Sequence, residues 1–299
     1  MNITVTGATG FIGRRLVRRL LADNHSLILL GRTPRTGLGP GIRFSIWDAM
    51  EGEPPEESLA GADAVIHLAG EPVAQRWTPV AKRRIRGSRV DGTRRLVEAL
   101  STLSRRPAVM VCASAIGLYG SSGDEVLTES SPPGKDFLAE TCVEWEKAAG
   151  LAEALGLRVV KIRTGLVLGR EGGVLARMLP PFKAGLGGRL GSGKHWMSWI
   201  HIDDLVELIR FALDQPALRG AANATSPNPV TNAEFTEKLA KALRRPALFP
   251  VPSFVIKTLF GEMAEIVLAS QRVLPRAAQA ACFRFQYPDL APALAQLLA

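Results

Sequence analysis

The chain has 299 residues, 46% apolar and 22% charged, with a net charge of +9. This composition excludes a disordered or fibrous chain and supplies enough apolar material for one large or two modest cores. No apolar stretch reaches the roughly 18 residues of a membrane span, and the N-terminus lacks a basic leader with a hydrophobic segment and cleavage site, so a soluble cytoplasmic protein is expected.

The three cysteines, Cys112, Cys142 and Cys282, are far apart and odd in number. That argues against a disulfide framework and against a metal site. The positive charge comes largely from arginines such as Arg14, Arg15, Arg18 and Arg19, then Arg83, Arg84 and Arg86. They sit between apolar positions in amphipathic segments, which reads as solvated helix faces rather than a nucleic-acid surface.

The first thirteen residues carry the sharpest local signal. Ile3-Thr4-Val5 is a strand-like run that meets glycines at Gly7, Gly10 and Gly13 and continues into the helix-like RRLVRRLLA. N–H groups at a helix start have no intrahelical acceptor and carry the positive end of the helix dipole, so a strand, a glycine turn and a helix suit a pyrophosphate. The spacing is GxxGxxG rather than the commoner GxGxxG, and a plain strand-turn-helix corner is the competing reading.

Apolar runs at 26–30, 42–47, 63–70, 107–113 and 158–163 predict further strands, with helices at 79–103 and 137–155. Continuous apolar strands alternating with helices predict an α/β fold: a Rossmann-type, doubly wound parallel sheet over roughly the first 165 residues. Beyond it, a glycine- and proline-rich stretch surrounds a short helix at 173–182. Asp203-Asp204 after Trp199–Ile202 opens a helix, 221–224 returns as a strand, and Thr231 with Glu234 forms a capping signal for a helix to Leu243. The expected division is a dinucleotide-binding domain at 1–168 and a smaller substrate region at 169–299, with a segment near 203–226 returning to the sheet. Residues 253–271 read as one apolar helix containing Gly261, packed on the core or on a subunit partner in a homodimer, with a membrane surface as the lesser reading.

The residue ending the second strand of such a fold faces the adenosine ribose. An acid there accepts the 2′-OH, and an arginine accommodates a 2′-phosphate. Here the strand ends in Gly31-Arg32-Thr33 with Arg35 close behind and no acid, which favours NADP(H) over NAD(H); a surface arginine in a loop is the alternative. Asp48 is placed on the adenine side.

TGATGFIG at 6–13, DAVIHLAGE at 63–71, SAIGLYG at 114–120, RTGLVLG at 163–169, GLGGRLGSG at 185–193 and SWIHIDDL at 198–205 follow one another in order. With these motifs the chain resembles the atypical extended short-chain dehydrogenases/reductases, in the SDR39U1-like epimerase-family branch, over nearly its whole length. The resemblance implies a Rossmann domain carrying NADP(H) and a C-terminal region closing over a substrate cleft. It places Gly7, Gly10, Phe11 and Ile12 on the pyrophosphate loop, and Arg32 at the 2′-phosphate. Leu68, Ala69 and Gly70 fall beside the adenine and ribose, Ala113 and Ser114 beneath the nicotinamide, and Arg163 to Leu166, with Gly165, around its carboxamide.

The superfamily's proton-transfer pair is a tyrosine with a lysine four residues on. Neither of the two tyrosines here, Tyr119 and Tyr287, has that lysine. Where the pair belongs, Cys142 and Glu146 keep the spacing without the acid-base chemistry; a one-residue shift would instead offer Val143 and Lys147. Counting back four from Tyr119 gives Ala115, so the serine candidate, Ser114, is one residue off. Tyr119 is the best remaining phenol, for proton transfer or for packing, and Glu71 is the sharpest candidate acid or base. Arg76, Arg89 and Lys194 are candidates to hold an anionic substrate, against the reading of each as a surface cation. His201 either caps and packs or takes part in chemistry.

Two functions follow. One is an NADP(H)-dependent oxidoreductase or epimerase-like enzyme acting on a small carbonyl or sugar-derived substrate with a nonstandard catalytic set. The other is an NADP(H)-binding sensor or structural protein with little or no turnover. A nucleic-acid or other interaction protein rests on charge alone.

Overall fold

A computed structural model describes residues 1–34 and 37–299. Arg35 lies outside the described residues. In the first half, β1 (Asn2–Thr6), α1 (Phe11–Ala22), β2 (Ser26–Gly31), β3 (Ile42–Ile46) and β4 (Ala64–His67) precede α2 (Pro79–Ser101), β5 (Val109–Ala115), the short β6 (Val126–Leu127), α3 (Phe137–Gly150) and β7 (Arg158–Thr164). The second half runs β8 (Leu166–Gly169), α4 (Gly173–Lys183), β9 (Trp196–Met197), β10 (Trp199–His201), α5 (Ile202–Asp214), β11 (Gly220–Ala224), β12 (Val230–Thr231) and α6 (Asn232–Leu243). It ends with α7 (Ser253–Phe260), α8 (Ala264–Leu268), β13 (Arg272–Val273), α9 (Arg276–Ala280) and α10 (Leu290–Leu298).

Seven parallel strands form the central sheet in the order β11-β7-β5-β4-β1-β2-β3. Strand residues alternate between faces, so each buried run feeds two cores. Ile3, Val5, Leu27, Leu29 and Ile66 pack with Leu16 and Leu20 of α1 and Leu205 and Ile209 of α5. Leu30, Val65, Met110 and Val159 pack on the other side with Val90, Leu96 and Leu100 of α2 and Trp145 of α3. Burial on both faces explains why most of the strands are largely apolar rather than alternating with exposed polar residues, with Thr4 and Thr6 of β1 buried too. The exception, β3, is half exposed along its length and forms the sheet edge.

The order reverses between β1 and β4, because the chain leaves β1 toward β2 and later returns to β4 on its other side. Ligands of open parallel sheets bind at the carboxyl ends of strands at such a point. The second half of the chain is tied into this layer: β11 completes the sheet beside β7, and α5 lies against α1, where Arg15 pairs with Asp203 at 2.7 Å and Arg19 with Glu207. Part of the basic charge of α1 is thereby neutralised within the fold.

The apolar stretch 253–271 is not one helix. Gly261 adopts φ +57°, a conformation other residues rarely take, and separates α7 from a short turn and α8. Helix α8 ends at Leu268, and Arg272–Val273 pairs with β6. Ile256, Met263 and Ala264 pack inward, while Phe254 and Leu259 are 70% and 71% exposed. No helix among the described residues is long and apolar enough to cross a membrane.

Candidate functional site

The glycine turn lies at the switch point. Gly7 has φ +70°, and a Cβ there would come within 2.6 Å of the Leu68 backbone; one at Gly13 would come within 2.2 Å of the Gly7 oxygen. Side chains are thus excluded where the turn meets both the loop after β4 and the start of α1. Gly10 is the N-cap of α1, no side chain caps it, and its first turn contains no acid. The opening N–H groups of Phe11, Ile12 and Gly13 are therefore presented as an anion-binding helix terminus. The Phe11 ring covers Gly169 and Gly172, where a Cβ would fall 2.4 and 2.5 Å from it.

The Leu68–Gly70 loop is pinned from behind. The Ala69 N–H donates to Thr6 Oγ1 at 3.1 Å, and Thr6 Oγ1 meets His67 Nδ1 at 2.7 Å. His67 Nε2 meets Thr93 Oγ1 at 3.1 Å, and the Trp145 indole donates to the same hydroxyl at 2.9 Å. Burial, with a contribution from the Arg89 charge, pushes the His67 pKa down to about 4. His67 is thus a neutral imidazole that holds a loop, a role its place inside a buried strand run did not distinguish from plain packing.

At the end of β2, Arg32 is exposed and lines an open cleft of about 330 Å³ with Trp47, Asp48, Glu51 and Glu53. Asp48 also fixes the following turn, accepting from the Met50 N–H at 2.9 Å. Thr33 is exposed next to Arg32.

The proposed catalytic residues fall into two separate networks. Ser114, 4% exposed, donates from Oγ to Glu146 Oε1 at 2.7 Å. Arg163 donates to the same carboxylate through Nε at 2.8 Å and Nη2 at 2.9 Å, and its Nη1 donates to the Tyr119 hydroxyl at 2.9 Å. Tyr119, 2% exposed, donates in turn to Asn223 Oδ1 at 2.7 Å, and the Asn223 amide donates to the Leu274 carbonyl at 3.0 Å. Burial raises the Tyr119 pKa against the opposing pull of Arg163. The phenol thereby joins β5, β7 and β11 to the C-terminal segment, which is the packing reading of this residue. Glu146, which the spacing marked only as a substitute for the usual lysine, is the hub of the cluster, and Asn223 carried no signal in its strand.

Glu71 belongs to the other network. Its N–H donates to Ser88 Oγ at 2.9 Å, its carbonyl accepts from Arg89 Nη1 at 2.8 Å, and Gln75 Nε2 lies 3.4 Å from its carboxylate. Among the described residues no hydrogen bond connects Glu71 with Ser114 or Tyr119.

The position of the usual tyrosine holds Cys142, a buried thiol pushed up to about 12 by desolvation. The shifted register gives nothing better, because Val143 is 40% exposed and Lys147 is exposed beside it on the outer face of α3. The resemblance assigns the backbone at Arg163 to the loop around the carboxamide; the Arg163 side chain is turned into the Glu146 cluster. The Gly165 and Leu166 N–H groups donate to Ala224 and Ser198 carbonyls, and Ala113 lies in the β5–β7 ladder opposite Ile162. Arg76 and Lys194 are exposed. Lys82 pairs with Glu262, bridging α2 to the turn after α7. His201 is fully buried, accepts from the Asp203 N–H at 3.1 Å as the cap of α5 and stacks on Tyr287 at 4.0 Å; it caps and packs.

The sheet order, the uncapped glycine turn and the cleft at the end of β2 define a Rossmann-type protein with an NAD(P)-binding fold. The chain belongs to the NAD dependent epimerase/dehydratase family, whose model matches residues 3–225, and residues 251–297 match a domain of unknown function, DUF1731. It is 45% identical over 302 residues to the Arabidopsis thaliana epimerase family protein SDR39U1 homolog, chloroplastic, covering all of this chain and 87% of that protein. It is 38% identical over 300 residues to Bacillus subtilis epimerase family protein YfhF, covering all of this chain and 98% of the relative. The crystal structure of human epimerase family protein SDR39U1 (isoform 2) with NADPH superposes with a TM-score of 0.89 at 36% identity, covering 99% of both chains.

Proposed function

We propose that this chain is an NADP(H)-binding oxidoreductase or epimerase-like enzyme that acts on a small carbonyl or sugar-derived substrate without a tyrosine–lysine pair. The observation that carries the nucleotide reading is the uncapped, acid-free start of α1 on a turn too tight for side chains at Gly7 and Gly13. Gly10, Phe11 and Ile12 would hold the pyrophosphate, the Leu68–Gly70 loop the adenosine side, and Arg32 with Thr33 the 2′-phosphate. A guanidinium binds phosphate oxygens by paired charge-assisted hydrogen bonds, which favours NADP(H) over NAD(H). The human relative crystallised with NADPH supports the same choice. When bound, the nicotinamide supplies or accepts hydride. General acid-base catalysis typically adds about 10²–10⁴-fold, so a reactive carbonyl can be reduced without a dedicated proton donor. A reducing, cytoplasmic-type compartment goes with this reading, as all three cysteines are unpaired.

One observation favours the second reading, a nucleotide-binding sensor with little turnover: Ser114, Glu146, Arg163 and Tyr119 satisfy one another and leave no positioned proton donor among them. The two are separated by incubating the protein with NADPH and a panel of small carbonyls and sugar nucleotides. NADPH at about 100 times its Kd stabilises the fold by about 2.7 kcal/mol in either case, but only an enzyme consumes it or converts a sugar nucleotide. Arg32→Ala is expected to weaken NADPH and spare NADH. Equal affinities of the wild type for both, or tighter NADH, overturn the assignment to NADP(H).

A further inference from the structure

The segment that carries α7 and α8 is fastened at both ends and barely held between them. At its entry the Val251 N–H donates to the Arg189 carbonyl at 2.8 Å, and the Val251 carbonyl accepts from the Gly191 N–H at 2.8 Å. At its exit Ser270 Oγ donates to the Gly123 carbonyl at 2.6 Å, and Gln271 Nε2 donates to the Ile116 and Gly120 carbonyls at 2.9 Å each. Among the described residues no hydrogen bond joins residues 252–269 to the rest of the chain, and only Ile256, Met263 and Ala264 are buried along them. A segment with so few buried apolar contacts opens at far less cost than the core does.

One ion pair crosses from this segment to the first half of the chain. Lys82, in the first turn of α2, pairs with Glu262 on the turn between α7 and α8. Lys82 Nζ also lies 5.8 Å from the centre of the Trp77 ring and 5.2 Å from that of Phe137, and the two rings meet edge to face at 5.2 Å. Trp77 stands just before α2 on the connection from β4, and Phe137 opens α3 on the connection from β5. Connections that leave the carboxyl ends of neighbouring parallel strands wall the ligand crevice of such a sheet. Lys82 therefore ties the segment to the crevice wall, and the tie falls beside Gly261, where the left-handed turn separates the two helices.

We propose that residues 252–269 form a strap that opens and closes over the mouth of the crevice, with the Lys82–Glu262 pair as its clasp. The inference rests on reading the crevice at the carboxyl ends of the strands as the ligand site. A partly exposed ion pair and a cation over aromatic faces each shift an equilibrium by about two- to fivefold, enough to bias the strap shut and little enough to release it when a ligand enters. The anchors at Val251 and at Ser270 and Gln271 stay in place as it swings.

Hydrogen exchange of the full chain, read by mass spectrometry, tests the clasp, with thermal stabilisation by NADPH measured in parallel. Lys82→Met loses both the ion pair and the aromatic contact and is expected to speed exchange at 253–268 by about fivefold or more. Glu262→Gln loses only the ion pair and is expected to speed it by about threefold, while Lys82→Arg stays within about twofold of wild type. In each variant α2 and residues 270–273 keep their wild-type exchange. About 1 M KCl shortens the screening length to about 3 Å and is expected to bring the wild type to the level of Glu262→Gln. Exchange of Lys82→Met within twofold of wild type at 253–268 overturns the clasp, and so does an equal rise throughout α2. Should Lys82→Met not fold, the wild type in KCl decides: unchanged exchange overturns the clasp.

Opening also bares the Trp77 ring. Acrylamide quenching of that indole, taken as the difference from the matching Trp77→Phe protein, is expected to rise in Glu262→Gln. Raised exchange with unchanged quenching overturns the placement of the strap over the crevice. Failure of NADPH to stabilise the protein, with exchange and quenching as expected, overturns the nucleotide reading and leaves the strap standing. Stabilisation by NADPH with unchanged exchange overturns only the strap.

Discussion

Glu146 and Arg163 form a two-pronged ion pair in which both side chains are nearly enclosed, at 12% and 10% exposure. Hydrogen bonds from Ser114 to the carboxylate, and from the guanidinium to the Tyr119 hydroxyl and the Glu129 carbonyl, meet most of the remaining polar capacity. Removing one partner of such a pair leaves the other charge buried and alone, which typically costs about 3–5 kcal/mol. Glu146→Ala is therefore expected to lower stability to urea by that order. A loss below about 1 kcal/mol would show that water reaches the pair and that its enclosure is incidental.

Tyr119→Phe separates anchoring from proton transfer. Deleting the hydroxyl strands the Asn223 oxygen and one Arg163 donor, a cost of about 1–3 kcal/mol in unfolding free energy. NADPH affinity and any measurable turnover are expected to stay within about twofold, since general acid-base loss would cost 10²-fold or more. A collapse of turnover with unchanged stability would return the phenol to the chemistry.

Gly13→Ala probes the phosphate turn with a single methyl. Its Cβ would sit 2.2 Å from the Gly7 oxygen and 2.7 Å from Ala8 Cα, both backbone atoms with little freedom to yield. The expected result is loss of most of the thermal stabilisation by NADPH, along with a lower melting temperature. Full retention of the NADPH shift would place the nucleotide elsewhere.

His67 gives the fold a pH dependence of definite sign. In the folded chain it remains neutral down to about 4, whereas in the unfolded chain it takes up a proton near 6.5. Between those values the unfolded state binds more protons, so stability falls as pH falls, by roughly 3 kcal/mol over the whole interval at about 1.4 kcal/mol per unit. His25, His195 and His201 are also lowered by burial, so their contributions share the sign. Urea unfolding of the wild type and His67→Gln at pH 7 and pH 5 isolates the His67 part: the variant should show the shallower slope. Equal slopes would mean that the imidazole protonates in place.

Much of the sheet was legible because burial on two faces leaves β2, β4 and β5 as largely apolar runs and keeps the apolar positions of β1 and β7 close together, and the glycine turn was legible because its chemistry is local. The capping pair of Thr231 and Glu234 forms as expected, with the Glu234 N–H donating to Thr231 Oγ1 at 3.3 Å and the Thr231 N–H to the Glu234 carboxylate at 2.8 Å. The break at Gly261 was not legible, since a glycine inside an apolar run is compatible with either a helix or a left-handed turn until its φ is known. The Glu146 cluster was hidden for a different reason. Ser114, Glu146, Arg163 and Asn223 lie on four elements, and side-chain pairing across a parallel sheet leaves no periodicity in the chain. The same absence of local pattern conceals the pairing of β6 with β13.

The Glu146–Arg163 pair also bears on whether the usual catalytic pair would fit this fold. Restoring tyrosine at Cys142 and lysine at Glu146 would set an ammonium against the Arg163 guanidinium in an enclosed space and strip Ser114 of its acceptor. Neither substitution alone restores the dyad, and the two together carry a repulsion that only a third change, at Arg163, relieves. A tyrosine–lysine pair at 142 and 146 is therefore incompatible with an arginine at 163, which ties the identity of residue 146 to that of residue 163.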